Sequence, residues 1–204
     1  MTRTFNLSEL DPEDQVLITR SRQGDLDAFN QLVVRYQDLV FSVILRMVRN
    51  HASAEDITQD AFISAFRNIG RMRGVNFRAW MLRIARNATY DEIRRSNRRP
   101  EDSIDEQIIT LGETLASDEE SPEDRAMRRD LGMSISRGLG ELQPDQRMAV
   151  VLVDVEGLAY EEAADAMEVS IGTVKSRLNR GRRRLREWLV ANVEQLPPQF
   201  RLHD

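Results

Sequence analysis

A chain of 204 residues can hold one large domain or two small ones, and 41% hydrophobic content allows genuine cores. With no cysteine, and with His51 and His203 its only histidines, it offers no disulfide, no thiolate metal site and no histidine pair. The net charge of −5 hides a segregation: Glu101 to Asp124 carries ten acids and no base, and removing that −10 leaves +5 elsewhere.

Residues 1 to about 12 read as a loose arm. They lack a basic stretch followed by an apolar run, and no segment has the length of a membrane span, so a cytoplasmic location is expected. Asp14 to Ser21 predicts a short helix carrying Val16, Leu17 and Ile18, broken at Gly24. Asp25 or Asp27 caps the next helix, where Phe29, Leu32, Val33, Tyr36, Leu39, Val40, Val43, Ile44 and Met47 recur at helical spacing. Ser53 is expected to cap a third helix, with Asp56 placed for a capping box and Ile57, Ala61, Ala65, Phe66 and Ile69 inward. Gly70 to Asn76 holds two glycines and an asparagine and predicts a loop. Phe77 to Arg95 is helical again, with Trp80, Met81, Ile84, Ala85 and Ala88 inward, and Pro100 closes this first domain. Trp80 is an attractive stacking platform for a base, but between Phe77 and Ile84 it is assigned to the core.

The acidic block at 101–124 is too poor in apolar residues to form a core and reads as a flexible linker. A second domain, 125–191, opens with Leu131, Ile135, Leu139 and Leu142 on a helix that ends at Gln143-Pro144. Met148, Val151, Leu152 and Val155 predict another, stopped by Gly157. Tyr160 to Met167 is short and helical; Glu168-Val169-Ser170 breaks it, and Ser170 is a good N-cap for a last, longer helix. The tail QLPPQFRLHD reads as disordered. No sustained alternation suggests a strand, so the expected fold class is all-α, with a helix-turn-helix at the C-terminal end.

Ile171, Val174, Leu178, Leu185 and Leu189 share one side of the last helix, with the small Gly181 in the same stripe. The opposite side presents Gly172, Thr173, Ser176, Asn179, Arg180 and Arg183, flanked by Lys175 and Arg177. An ordinary solvated helix would intersperse acids for i,i+4 pairs, yet none occurs between Ile171 and Arg186. Unbalanced cationic charge suits a polyanion, and an inward apolar stripe with a short polar outer face suits entry into a DNA major groove.

Three runs carry a resemblance: AEDITQDAFISAF, FRAWMLRIARNATYDEIRR and ELQPDQRMAVVLVDVEGLAYEEAADAMEVSIGTVKSRLNRGRRRLREWL. Together they resemble the extracytoplasmic-function sigma factors of bacterial RNA polymerase, from about Glu13 to Leu189, with two motif sets in the right order. The resemblance implies that 13–100 docks on core polymerase and handles the −10 element, and that 125–191 reads the −35 element. Glu55, Asp56, Gln59 and Asp60 match the face that meets the clamp helices of the polymerase largest subunit, where carboxylates and an amide can accept from arginines. Met72, Arg73 and Asn76, with Arg83, Asn87, Arg94 and Arg95 on the next helix, match the region that opens and captures the −10 strand. A captured base must leave the stack, at a cost of a few kcal/mol offset by stacking and edge hydrogen bonds. Met72 stands where a family member has an aromatic residue. Lys175, Ser176, Asn179 and Arg180 match positions that contact −35 bases, while Gly172 and Thr173 match a helix start that meets phosphate, with Arg177 and Arg183 beside them. Ala159 replaces a usual serine cap.

By the same resemblance the acidic linker runs near the RNA path of the polymerase, and an anti-sigma protein is an expected partner besides core polymerase and promoter DNA. No small-molecule substrate, cofactor, metal, catalytic residue or membrane insertion is expected, because no Gly-rich phosphate loop, nucleophile–base pair or carboxylate cleft can be placed. The nearest rival reading is a two-domain helix-turn-helix regulator that binds operator DNA unaided; it gives Gly70–Asn76 and Asp56/Gln59 no task.

Overall fold

The computed structural model describes residues 12–72, 76–98 and 121–192 and is built from helices, with no strand among those residues. In chain order they are α1 (Pro12–Arg22), α2 (Leu26–Val48), α3 (His51–Asn68), a 3-10 turn (Ile69–Arg71), α4 (Phe77–Arg98), α5 (Pro122–Gly140), α6 (Pro144–Val150), α7 (Tyr160–Met167) and α8 (Ile171–Ala191). The expected arm at 1–11, most of the linker at 101–120 and the tail from 193 lie outside the described residues.

Local signals set most helix starts. The Asp25 carboxylate accepts from the Ala28 N–H at 3.0 Å and begins α2, and that bond is the first cause of its lowered pKa. α3 starts earlier than the sequence suggests: Asn50, not Ser53, is the cap, and its side chain accepts from the Ser53 N–H at 2.8 Å. Asp56 is thereby freed from capping duty and points outward. α1 also departs from expectation. Val16 is exposed, and the inward polar group is Asp14, which binds Arg35 at 2.5 Å and the Tyr36 hydroxyl. A buried carboxylate is tolerable there because both partners are hydrogen-bonded to it. Burial, then Asp14, pushes the Tyr36 phenol above its ordinary range.

The first core gathers around Leu32, Ile44, Ala61, Phe77 and Met81. Trp80 belongs to it, 8% exposed with its ring 5.8 Å from Phe77, as assigned from the sequence. The second core holds Leu139, Leu142, Met148, Leu152, Met167 and Leu178, and it also takes in Val43, Met47 and Leu82 from α2 and α4. The two segments expected as separate domains therefore share apolar surface across a seam.

Polar contacts rim that seam. Arg147 of α6 donates to the Met47 carbonyl at 2.7 Å and to the Gly140 and Leu142 carbonyls. Burial, then the nearby charge of Arg49, lowers its pKa to about 10, so it stays cationic at neutral pH. After Val150 the chain opens into a π-helical turn, Val151–Val155, closed by Glu156 N–H to the Val151 carbonyl at 2.9 Å. Gly157 at φ +67 then turns the chain out of the helix, as its composition suggested. Glu156 is left facing α2, accepting from Ser42 at 2.6 Å and Arg46 at 3.1 Å.

α8 is pressed against α6 where Gly181 leaves no side chain between them. A Cβ at Gly181 would meet Val150 Cγ2 at 2.8 Å and the Gln146 carbonyl oxygen at 3.1 Å. Gly181→Ala gains about 1 kcal/mol of helix propensity but forces apart a tight contact at about 1–3 kcal/mol. The expected net effect is a loss of about 1 kcal/mol, read as a lower urea midpoint. A raised midpoint would show that the two helices are not in contact there.

Candidate nucleic-acid interface

α8 offers the outer face that its periodicity predicts. Ser170 caps it, accepting from the Thr173 N–H at 3.1 Å. Val174, Leu178 and Gly181 are buried, while Gly172, Lys175, Ser176, Asn179, Arg180 and Arg183 are exposed. The polar residues are pre-arranged along the helix. Ser176 donates to the Thr173 carbonyl at 3.0 Å, and Arg180 donates to the Ser176 carbonyl and hydroxyl, each at 3.2 Å. Lys175 stands 5.4 Å from the Tyr160 ring centre. Ala159 makes no side-chain cap for α7, consistent with its missing hydroxyl.

The cationic charge of α8 is less unbalanced than its own sequence implies. Arg177 pairs with Asp145 at 2.5 Å, and Arg182 grips Asp154 through two nitrogens at 2.9 and 2.5 Å. That pair is the first cause of the raised pKa of Arg182. Both acids come from α6 and the π-helical turn that follows it, so they are adjacent to α8 only after folding. Arg177 is thus half-buried and engaged, and Arg183 faces outward 3.8 Å from Glu187.

On α4 the expected residues divide. Asn87 is exposed; Arg94 and Arg95 lie at the exposed C-terminal end, each beside an acid three residues earlier. Arg83 reaches Glu168 at 3.6 Å. Asn76 caps α4, accepting from the Ala79 N–H at 2.9 Å, while its amide donates to Glu162 at 3.3 Å. Met72 is a correction: its side chain is 4% exposed within the first core, and its carbonyl accepts from Arg22 at 2.7 Å. A flexible thioether fills that gap where a base reader would have to project. Arg73 lies outside the described residues.

Glu55, Asp56, Gln59 and Asp60 are all exposed along α3. Glu55 and Gln59 border an open groove of about 840 Å³ between α2 and α3, floored by Phe29, Phe41, Phe62 and Ile63. A carboxylate and an amide at the rim of an apolar trough can receive a helix that carries both apolar and basic side chains.

Sequence reading passed over Arg78, Arg86, Asp145, Glu162 and Glu168, which meet across the seam. Arg78 pairs with Glu162 at 3.4 Å, Arg86 with Glu168 at 3.4 Å, and Tyr90 donates to Asp145 at 2.7 Å. Burial, then Asp145, holds the Tyr90 phenol above its ordinary range. The one available signal was alternation of sign: basic residues lie on α4, and acids lie around α7.

Comparison with known proteins agrees with both halves. A family model of Sigma-70 region 2 matches residues 32–99, and one of Sigma-70 region 4 matches residues 132–185. The chain is 36% identical over 174 residues to the RNA polymerase sigma-H factor of Pseudomonas aeruginosa, covering 83% of this chain and 90% of that protein. It is 38% identical to the ECF RNA polymerase sigma-E factor of Escherichia coli over the same shares. Among solved structures, the sigma factor RpoE of Bartonella quintana, in complex with the anti-sigma factor NepR, superposes with a TM-score of 0.62. That match is 28% identical and covers 80% of this chain and 98% of the other.

Proposed function

Since the chain belongs to the extracytoplasmic-function sigma factors, regulatory proteins that direct bacterial RNA polymerase to promoters, we propose how its surfaces divide that work. The observation that carries the proposal is the placement of two unlike faces on different helices. α3 presents acids and an amide beside an apolar groove, and α8 presents a preassembled basic and hydroxyl face.

The segment 13–100 docks on core polymerase through Glu55, Asp56, Gln59 and Asp60, which receive arginines of the clamp helices while the groove takes apolar side chains. The same segment binds the opened −10 strand along α4, with Asn87 meeting an unstacked base and Arg83, Arg94 and Arg95 meeting phosphates. The segment 125–191 reads duplex −35 DNA. Gly172 and Thr173 bring the N-terminus of α8 to a phosphate, and Lys175, Ser176, Asn179 and Arg180 reach base edges. Residues 101–124 tether the two. The chain works in the cytoplasm beside the polymerase and has no catalytic step of its own. The similarity to a sigma factor held by an anti-sigma protein supports an inhibitor of that kind as a further partner.

Transcription in vitro, with core polymerase and a genomic promoter library, tests the whole reading; no promoter-selective transcripts would overturn it. Gln59→Ala is expected to weaken core binding by about 1–2 kcal/mol, as loss of one interface side chain does, without altering duplex binding by 125–191. Equal core affinity would remove Gln59 from the docking face. Arg180→Ala should cost about 1–3 kcal/mol at the −35 element and relax base preference at one position. Uniform weakening across sequences would assign Arg180 to phosphate. Asn87→Ala should reduce permanganate reactivity of the −10 region while leaving −35 occupancy intact. Equal loss in both assays would exclude a base-capturing role.

A further inference from the structure

Lys175 is the one lysine of this chain; every other member of its 29 basic residues is an arginine. An arginine brings its own geometry to a base, because its planar fork is stiff and its donors are fixed. A lysine brings a compact charge on a flexible four-carbon stem, which by itself points at no particular acceptor. Yet the lone lysine stands exposed on the DNA-reading face of α8, beside Ser176 and Arg180.

Those neighbours are each tied down. Ser176 donates to the Thr173 carbonyl at 3.0 Å, and Arg180 donates to the Ser176 carbonyl and hydroxyl. Among the described residues, no hydrogen bond or ion pair reaches the Lys175 ammonium. What it has instead is an aromatic ring. Its Nζ lies 5.4 Å from the centre of Tyr160, within the range over which a ring face attracts a cation.

The ring is a fixed support. Tyr160 opens α7, is half-buried and packs against the second core. That core also holds Ala163 and Met167 of α7 with Val174 and Leu178 of α8, so ring and lysine share one frame. A side chain that served the core alone could be an aliphatic one; a side chain that also carries a cation on its face could not.

We propose that Tyr160 is a positioning residue for −35 recognition. Its ring holds the Lys175 ammonium at one point of the α8 face, where it selects a base pair through guanine O6 or N7. This rests on the base-reading role given to Lys175 above and adds the residue, on the other helix of the helix-turn-helix, that makes the role selective. At an exposed site such a contact changes the population of the aligned ammonium by a factor of about two to five.

The lone lysine supplies a direct probe. Reductive methylation with isotope-labelled formaldehyde marks Lys175 and the chain's N-terminal amine, and the methylated ammonium keeps its charge. In the folded wild-type protein the Lys175 methyl resonance is expected upfield of its position in the urea-unfolded chain, displaced by the ring current. The displacement should persist in Tyr160→Phe and vanish in Tyr160→Leu. A wild-type resonance at the unfolded position would overturn the contact, and that measurement needs no variant.

Selectivity is read on holoenzyme, assembled from core polymerase and unlabelled protein, by enrichment from duplexes randomised across the −35 element. Tyr160→Leu is expected to lower discrimination about two- to fivefold at the single position that Lys175→Ala relaxes. Tyr160→Met, a flexible apolar filler, replaces it if the leucine variant does not fold. Tyr160→Phe should keep wild-type discrimination, and Tyr160→Leu should add nothing in the Lys175→Ala background. Wild-type discrimination in Tyr160→Leu, beside a relaxed Lys175→Ala profile, would overturn the positioning role alone. So would a loss spread evenly over all positions. Lys175→Ala with every base preference intact would overturn the premise instead, by removing Lys175 from base reading.

Discussion

α4 has to serve two hydrophobic cores at once, and most of the architecture derives from that demand. Phe77, Trp80, Met81 and Ala85 close the first core, while Leu82 one step round the helix enters the second. Tyr90 and Ile93 continue that second side. What remains for solvent is a narrow strip with Asn87 and, at the far end, Arg94 and Arg95.

Parting the seam would expose Val43, Met47 and Leu82 and break a rim of hydrogen bonds and ion pairs. Arg147 is the exception. Its donors are divided between two carbonyls of its own half and one of α2, so parting the halves strips a single bond and leaves the guanidinium still held. Arg46 is the counterpart in α2: burial lowers its pKa and Glu156 works against that shift. Glu156 thereby offsets part of the cost of burying that guanidinium and adds one cross-seam ion pair to those of Arg78 and Arg86.

Much of this was legible in the sequence, for reasons that differ by element. The outer face of α8 came from a 3.6-residue period and a serine cap, both local properties; the structure exposes Gly172, Ser176, Asn179, Arg180 and Arg183 as expected but leaves Thr173 half-buried and Ile171, assigned to the inner stripe, exposed. The Trp80 assignment came from its apolar neighbours. The start of α3 was not legible, because Asn50 and Ser53 are both competent caps and only the preceding left-handed Arg49 decides between them. Nor was the fate of Met72, whose neighbours in the chain are polar and whose core partners are distant in sequence. The cation balance of α8 is hidden for the same reason: Asp145 and Asp154 are far from Ile171 to Arg186 along the chain and beside it in space.

The π-helical turn shows how one local irregularity organises both sides of the C-terminal half. A regular α-helix continued past Val150 would keep Asp154 and Glu156 in a rising spiral and carry the chain away from α2. Widening the turn, and ending it with Glu156 N–H on the Val151 carbonyl, stops the helix where Asp154 faces Arg182 and Glu156 faces Arg46. Leu158 then folds back, its N–H on the Leu152 carbonyl and its side chain in the second core. α7 therefore begins beside α4, and its acids reach the arginines there. π-helical turns are rare and concentrate at functional positions, and this one joins α6, which packs on α8, to α7, which packs on α4. A change that regularised it would leave the α8 face intact while displacing Glu156, Glu162 and Glu168 together, because all three hang from the same turn.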